Sequence, residues 1–278
     1  MSNFNLFSDL PFDQFAQRFQ REGIVWVFHH IPKTAGTSMV QELRFCFPPY
    51  FNIGAAANRD PDAPRRADML MHGVEMFLDE HPKTQFRSVS GHLHPVHVRR
   101  LREGLPHARV FTFLREPVAR MISEFRYTRT PKHPTYKEVL AKYPTIESYL
   151  DDPDTHNKMW RFVAGRVQRP DETGLTQLFN RYGFIGTLED YNLCFEFFTA
   201  LTGHPKTPTT RANVTEKKSE NEVEITDDLR ARIVETHQDD IAFYNAVTAK
   251  LAARRAEMHA FINDRRAQYA GHAATSGG

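Results

Sequence analysis

Lys33, Thr37 and Ser38 stand together in the stretch HHIPKTAGTSM, residues 29 to 39, directly behind the apolar run Ile24-Val25-Trp26-Val27-Phe28. A lysine, small residues and paired hydroxyls at the exit of a strand are the parts of an anion site. Ala35 and Gly36 let backbone N–H groups approach a ligand closely. Thr37 and Ser38 add hydroxyl donors to a first helical turn, and the helix dipole adds partial positive charge. Pro32 stiffens the exit, and Lys33 brings a full charge. In the nucleoside-triphosphate loop the lysine follows the last glycine; here it precedes the stretch's one glycine, Gly36. A polar connection in which Thr37 or Ser38 merely caps the helix is the plainer alternative.

A second segment, VFTFLREPVARMISEF (110 to 125), repeats the strand–loop–helix grammar. Magnesium-dependent P-loop enzymes end a second strand in an aspartate that helps hold the metal. Here that place is taken by Arg115, whose guanidinium would repel Mg²⁺ and bind a phosphate bidentately. Pro117 suits the first position of the following helix. Val118, Met121, Ile122 and Phe125 make its buried stripe, and Ser123 lies eight positions beyond Arg115. Two anion sites, one centred on lysine and one on arginine, with no obvious magnesium acid, point to a ligand with phosphates at two ends. They argue against hydrolysis of a nucleoside triphosphate.

A base is offered by SVSGHLHPVHV, with His92, His94 and His97. His92 follows Gly91 at the carboxyl end of a short strand, and on an extended chain His92 and His94 point to the same side. The His-x-His-x-x-His spacing also has the character of a metal site. However, Pro95 and the switch to helix scatter the third ring, and no carboxylate lies immediately nearby. No metal is therefore expected. His29 and His30 precede the first loop; one of them facing the site and plain packing at the strand end explain them equally well.

The elements that must carry these residues alternate. Residues 24 to 31 read as a buried strand and 36 to 47 as a helix with Met39, Val40, Leu43 and Phe47 on one face. The segment 58 to 68 is a polar loop, 69 to 80 a helix and Phe86 to Ser90 a short strand, followed by helix after Pro95. Val110 to Leu114 is another buried strand, followed by a helix from Pro117. Tyr182 to Ile185 is a last strand candidate, with helices from about Glu189 to Leu201 and over Asp227 to about Arg266. The phenylalanines between residues 4 and 21 suggest a short helix packed on the core, or a partner surface. This is an α/β pattern with a central parallel sheet flanked by helices and a mostly helical C-terminal half. Ligands of such sheets bind beyond the carboxyl ends of the strands. One domain over residues 1–266, with a flexible tail over 267–278, is the expected organisation.

At 278 residues the chain buries a sizeable core. Its net charge of +2 is too small to indicate nucleic acid or a membrane surface, so anion preference must come from local clusters. Cys46 and Cys194 give neither a disulfide framework nor a metal spacing. No secretory signal or membrane-length apolar run is evident, and a cytoplasmic enzyme is expected.

IPKTAGTS resembles the 5′-phosphosulfate-binding loop of the Golgi-type carbohydrate sulfotransferases, the group including the heparan sulfate 2-O- and 6-O-sulfotransferases. FLREPVARMISEF resembles their 3′-phosphate-binding segment. RYGFIGTLEDYN resembles a late strand and turn, and RANVTEKKS (211 to 219) a loop closing near the nucleotide. The likeness spans roughly residues 24 to 245, and its first two motifs are the specific ones. It implies a P-loop-type core and 3′-phosphoadenosine 5′-phosphosulfate (PAPS) as donor, with sulfuryl transfer to a sugar hydroxyl leaving 3′,5′-adenosine bisphosphate. On this reading Lys33, Thr34, Ala35, Gly36, Thr37 and Ser38 hold the 5′-phosphosulfate. Arg115 and Ser123 hold the 3′-phosphate, Lys217 lies beside the donor, and His92, with His94 second, is the base. Unlike the Golgi enzymes the chain shows no anchor or stem, which suggests a bacterial-type soluble relative acting on a carbohydrate or another hydroxyl-bearing acceptor. Arg129, Lys132, His133 and Lys137, or Arg99, Arg100 and Arg102, would suit an acidic acceptor or be solvated surfaces. The rival readings are a P-loop kinase of small metabolites and a non-catalytic module binding nucleotide or glycan.

Overall fold

The computed structural model describes residues 3–59, 68–165, 168–209 and 223–275. Most of the polar loop expected over 58 to 68 lies outside the described residues, as does all of RANVTEKKS with Lys217. Five parallel strands form one sheet: β1 Val25–His29, β2 Tyr50–Asn52, β3 Ser88–Gly91, β4 Ala108–Leu114 and β5 Phe184–Thr187. β1 and β4 are buried at every residue, as strands covered on both faces must be. β2 was not foreseen. It is three half-buried residues at the sheet edge, too short to show a pattern.

The spatial order is β2-β3-β1-β4-β5. From β1 the chain crosses to one side of the sheet, and from β4 to the other. The direction of winding reverses between β1 and β4, and a crevice opens where the two connections part. The registers His29↔Gly91 and Phe28↔Phe111 bring the ends of β3, β1 and β4 to one edge. Three of the loops singled out by their chemistry therefore share that edge.

The helix Gly36–Cys46 follows β1 and buries Met39 and Leu43, with Phe47 just beyond it. It also buries Glu42, whose Oε1 accepts from Thr209 N at 2.7 Å and Thr209 Oγ1 at 3.1 Å. The helix Pro117–Thr128 turns its apolar stripe away from the main core. Val118, Met121, Ile122 and Phe125 pack instead with Ile146, Tyr149, Leu150, Leu229 and Ile233 in a second, smaller cluster. At 3.6 residues per turn this leaves Arg120, Ser123, Glu124 and Tyr127 on the opposite side.

The N-terminal phenylalanines are core. Phe4, Phe7, Phe12, Phe15 and Phe19 are all buried, on two short helices, Leu6–Asp9 and Phe12–Ala16, and the chain beside them. Phe12 meets Phe197 at 4.6 Å and Phe261 at 5.8 Å between ring centroids. Each such ring contributes roughly 1.5–3 kcal/mol by leaving water.

The C-terminal region is three helices, Asp227–Thr236, Gln238–Ala253 and Arg255–Thr275. One of the breaks falls at Arg254, which donates to the carbonyls of Phe7 and Leu10 and lies over the Phe12 ring at 3.7 Å. Helical backbone continues past residue 266 to Thr275. Cys46 is half-buried and Cys194 buried, both as free thiols.

Candidate active site

β1 ends at His29, whose buried ring ties three strand ends together. Its Nε2 meets the Leu93 carbonyl at 2.7 Å, and its Nδ1 meets the Tyr182 hydroxyl at 2.6 Å. A carbonyl only accepts, so Nε2 carries the proton and Nδ1 accepts from Tyr182. Thr112 Oγ1 donates to the His29 carbonyl at 2.7 Å. Burial lowers the His29 pKa to about 4 and keeps it neutral. His29 is thus a structural joint.

The loop after it bends sharply. Lys33 and Ala35 take left-handed backbone conformations, with φ of 70° and 64°. Side chains rarely adopt such angles, and each costs roughly 1–3 kcal/mol where structure enforces it. Ala35 precedes the helix Gly36–Cys46 and gives its first turn no side-chain cap. Thr37 is exposed on this turn and Ser38 buried in it. Thr34 turns inward, its hydroxyl donating to the Ile31 carbonyl at 2.9 Å. Gly36 is required by crowding: a Cβ there would sit 1.5 Å from His30 Nε2.

Lys33 and Arg115 meet across the crevice between β1 and β4. Arg115 Nη1 donates to the Lys33 carbonyl at 3.5 Å, and Lys33 Nζ lies 4.1 Å from the centre of the Tyr127 ring. Burial, then the neighbouring Arg115, lowers the lysine's pKa; burial does the same to Arg115. Among the described residues, no ion pair within 4.0 Å joins either cation to a carboxylate. The nearby acids have other partners. Glu116 accepts from Val118 N and Ala119 N at the start of its helix, while Glu189 accepts from Glu116 N and the Tyr244 hydroxyl. Glu124 acts on Lys33, and Glu189 and Glu116 on Arg115, without a direct ion pair; two partly desolvated cations so placed suit an anion.

Beneath them lies a buried charged network that sequence reasoning missed. Arg120 donates to Glu124 at 2.6 Å, Lys158 donates to Glu124 at 2.7 Å and to the Tyr149 hydroxyl at 3.0 Å, and Asp240 lies 3.9 Å from Arg120. Asp240 accepts from the backbone of Met159 and Trp160. Burial alone would raise the Glu124 pKa; Arg120 and Lys158 overrule it and hold it down to about 2. The i, i+4 spacing of Arg120 and Glu124 was the available signal. Tyr127 was also legible in principle, one turn beyond Ser123 on the same face.

His92 follows Gly91 at the end of β3 and stands beside the first loop. Its Nδ1 lies 2.9 Å from the His30 carbonyl, and the two rings are 4.1 Å apart. Nδ1 must carry the proton, leaving Nε2 as a free acceptor. Loss of hydration lowers its pKa, opposed by the bond to His30. His94 precedes the helix Pro95–Gly104, with its ring 5.0 Å from Phe162. His97 is buried, its Nδ1 accepting from the His94 backbone at 2.9 Å. Phe162, another residue not singled out from sequence, stands near His29, His92 and His94 at 5.6, 6.4 and 5.0 Å.

Lys33 and Arg115 are thus brought together, and His92 joins the first loop through His30. Ser123 is half-buried on the Pro117–Thr128 helix, on the face it shares with Tyr127, and Lys217 lies outside the described residues. Of the expected acceptor-side cations, Arg100 is engaged bidentately by Glu75, and Arg129 donates to the Tyr143 carbonyl. Among the described residues no group of three or more His, Cys, Asp or Glu side chains is placed to hold a metal ion.

Residues 19–245 match the model of the sulfotransferase family. The chain belongs to that family. Among solved structures, this sulfotransferase is similar to a crystal structure of a sulfotransferase from Alicyclobacillus acidocaldarius, with 16% identity and a TM-score of 0.44, covering 82% of this chain and 98% of that one. It is also similar to mouse sulfotransferase SULT7A1 complexed with PAP, with 12% identity and a TM-score of 0.32, covering 83% of this chain and 69% of that one. Comparison with curated proteins gives no match. No described helix of the sulfotransferase is long and apolar enough to cross a membrane.

Proposed function

We propose that this sulfotransferase transfers the sulfuryl group of PAPS to a hydroxyl of a carbohydrate or glycoside, using residues 1–266 as one P-loop-type catalytic domain in the cytoplasm. The observation that carries the reading is the meeting of Lys33 and Arg115, neither in a direct ion pair among the described residues, at the crevice between β1 and β4. A donor with phosphate groups at two ends supplies the missing charge. The 5′-phosphosulfate lies on the loop from Lys33 to Ser38, against the N-terminus of its helix. Arg115 and Ser123 take the 3′-phosphate, and Lys217 is assigned to the donor by the resemblance alone.

Transfer is an in-line displacement with charge building on the leaving oxygen. The bond from sulfur to the bridging phosphate oxygen breaks while a bond from sulfur to the acceptor oxygen forms. Lys33 stabilises the leaving phosphate. His92 Nε2 takes the acceptor proton and later releases it to solvent, with His94 the second choice for that role. The Nδ1–H bond to His30 supports this assignment, because it fixes the tautomer a base needs. No step requires a metal.

Thermal-shift titration separates this reading from a kinase. A ligand that binds the native state raises the melting temperature according to its affinity. The bisphosphate 3′,5′-ADP is expected to give the larger shift, and ATP with magnesium little or none; the reverse order sinks the donor assignment. Detectable sulfuryl transfer in the parent, absent in Lys33→Ala and His92→Ala variants that still bind, separates an enzyme from a binding module.

A further inference from the structure

The mechanism above uses only the backbone carbonyl of His30, yet the ring of that residue touches both halves of it. One face stands 4.1 Å from the His92 ring, tilted by 32°. Phe28 stacks on it at 5.4 Å and 13°. On the loop side the ring occupies the space a side chain at position 36 would need: a Cβ there would lie 1.5 Å from Nε2, 1.9 Å from Cε1 and 2.2 Å from Cδ2. The same residue's backbone closes the arrangement. Its carbonyl accepts from His92 Nδ1 at 2.9 Å, and its N–H donates to the Gly91 carbonyl at 3.1 Å.

We propose that His30 is a positioning residue that locks the base to the donor loop: its ring wedges between Gly36 and His92, holding the loop's backbone and the Nδ1–H tautomer of His92 in one rigid unit. The inference rests on the reading of His92 as the base and of the Lys33–Ser38 loop as the donor site. His30 acts by shape and not by charge. Burial, then the neighbouring His92, His29 and Lys33, disfavour its protonated form. Phe28 behind it and Gly36 before it leave the ring one place to stand, and the base is stacked on that ring. The absence of a side chain at Gly36 is the complementary half of the device, because only hydrogen leaves room for the ring.

The test uses the full chain and nuclear magnetic resonance of the histidine imidazole nitrogens, with the His92 signals assigned by their loss in His92→Gln. In the parent, His92 is expected as the Nδ1–H tautomer. In His30→Ala the tautomers should mix, and the His92 titration should move up towards about 6.5. His30→Phe restores a ring of similar shape and should restore the parent tautomer. An unchanged His92 spectrum in His30→Ala overturns the proposal, as does equal loss in His30→Ala and His30→Phe. Should His30→Ala fail to fold, Gly36→Ala serves instead: its methyl must displace the ring. It should mix the His92 tautomers and weaken 3′,5′-adenosine bisphosphate by about tenfold or more, a coupling of ordinary size; an unaltered tautomer there also overturns it. Failure of the donor reading is seen separately, as no thermal shift by the bisphosphate in the parent, a result that leaves the His92 spectra standing.

Discussion

As the proposed base His92 must be neutral to take a proton, and its surroundings favour that form. Loss of hydration lowers its pKa from the ordinary histidine value, with His94 adding a smaller push in the same direction. A lowered pKa keeps the base unprotonated to lower pH, so activity is lost only as pH falls through that depressed value. The acid limb of kcat/KM is therefore expected below about pH 6.5, the unperturbed value. His92→Ala should remove that limb and lower kcat by about 10²–10⁴-fold. A limb unchanged in His92→Ala assigns the base elsewhere. Arg115 makes a second prediction at this scale. Arg115→Ala should weaken 3′,5′-adenosine bisphosphate far more than an analogue lacking the 3′-phosphate, as read by calorimetric titration. Equal losses remove Arg115 from the 3′-phosphate.

The elements must hold these residues to within fractions of an ångström, and close packing behind the site does so. β5 carries Gly186, where a Cβ would come within 2.7 Å of Phe113 Cε1 and 2.9 Å of Cys194 Cβ. The strand is therefore pressed between β4 and the helix Tyr191–Leu201 with no room for a methyl. Gly186→Ala is expected to destabilise the fold by about 1–3 kcal/mol, the usual cost of overpacking, measured as a lower urea midpoint at unchanged slope. Donor binding per folded molecule should survive, since the clash is with Phe113 and Cys194 and not with the loop residues. The helix Pro117–Thr128 answers a different need. Its apolar stripe goes to the smaller cluster, which frees its other face for Arg120, Glu124 and Tyr127, the last of them under Lys33.

Across the whole molecule, buried ionisable groups set the dependence of stability on pH. His29 is fully buried with its pKa lowered to about 4. The unfolded chain gains a proton near pH 6.5 that the folded chain refuses, so stability is full above that pH. It falls as pH drops from about 6.5 to 4 and then levels off. The loss is roughly 3 kcal/mol at most. A His29→Gln variant should be less stable at pH 7 and show a flatter profile over that window; an equal slope assigns the acid sensitivity to another group. Asp240 holds the segment Met159–Trp160 and faces the buried Arg120. Asp240→Ala removes a charge from the network and, at once, the carboxylate acceptors of the Met159 and Trp160 N–H groups. It is expected to cost about 3–5 kcal/mol, as breaking a buried pair does, detected as a drop in melting temperature.

The alternation of apolar strands with helices and the two strand–loop–helix segments that carry Lys33 and Arg115 were legible in the sequence, because they are local. A run such as VWVFH or ARVFTFL states its burial on both faces, and Pro117 announces its helix. β2 was hidden because three residues carry no periodicity. The long C-terminal region was legible as helical but its breaks were not, because the Arg254 break is tied to carbonyls of Phe7 and Leu10, far away in the chain. By itself the sequence determined which groups are available: a lysine loop, an arginine loop and a set of histidines. Only the tertiary structure decided their relations. It placed Arg115 on the Lys33 carbonyl, buried His29 as a joint, stacked His92 on His30 and gathered Arg120, Glu124, Lys158 and Asp240 into one network. Those relations join residues 62 to 153 positions apart as well as near neighbours. Strand order and register bring them together, and no local pattern in the chain encodes that order.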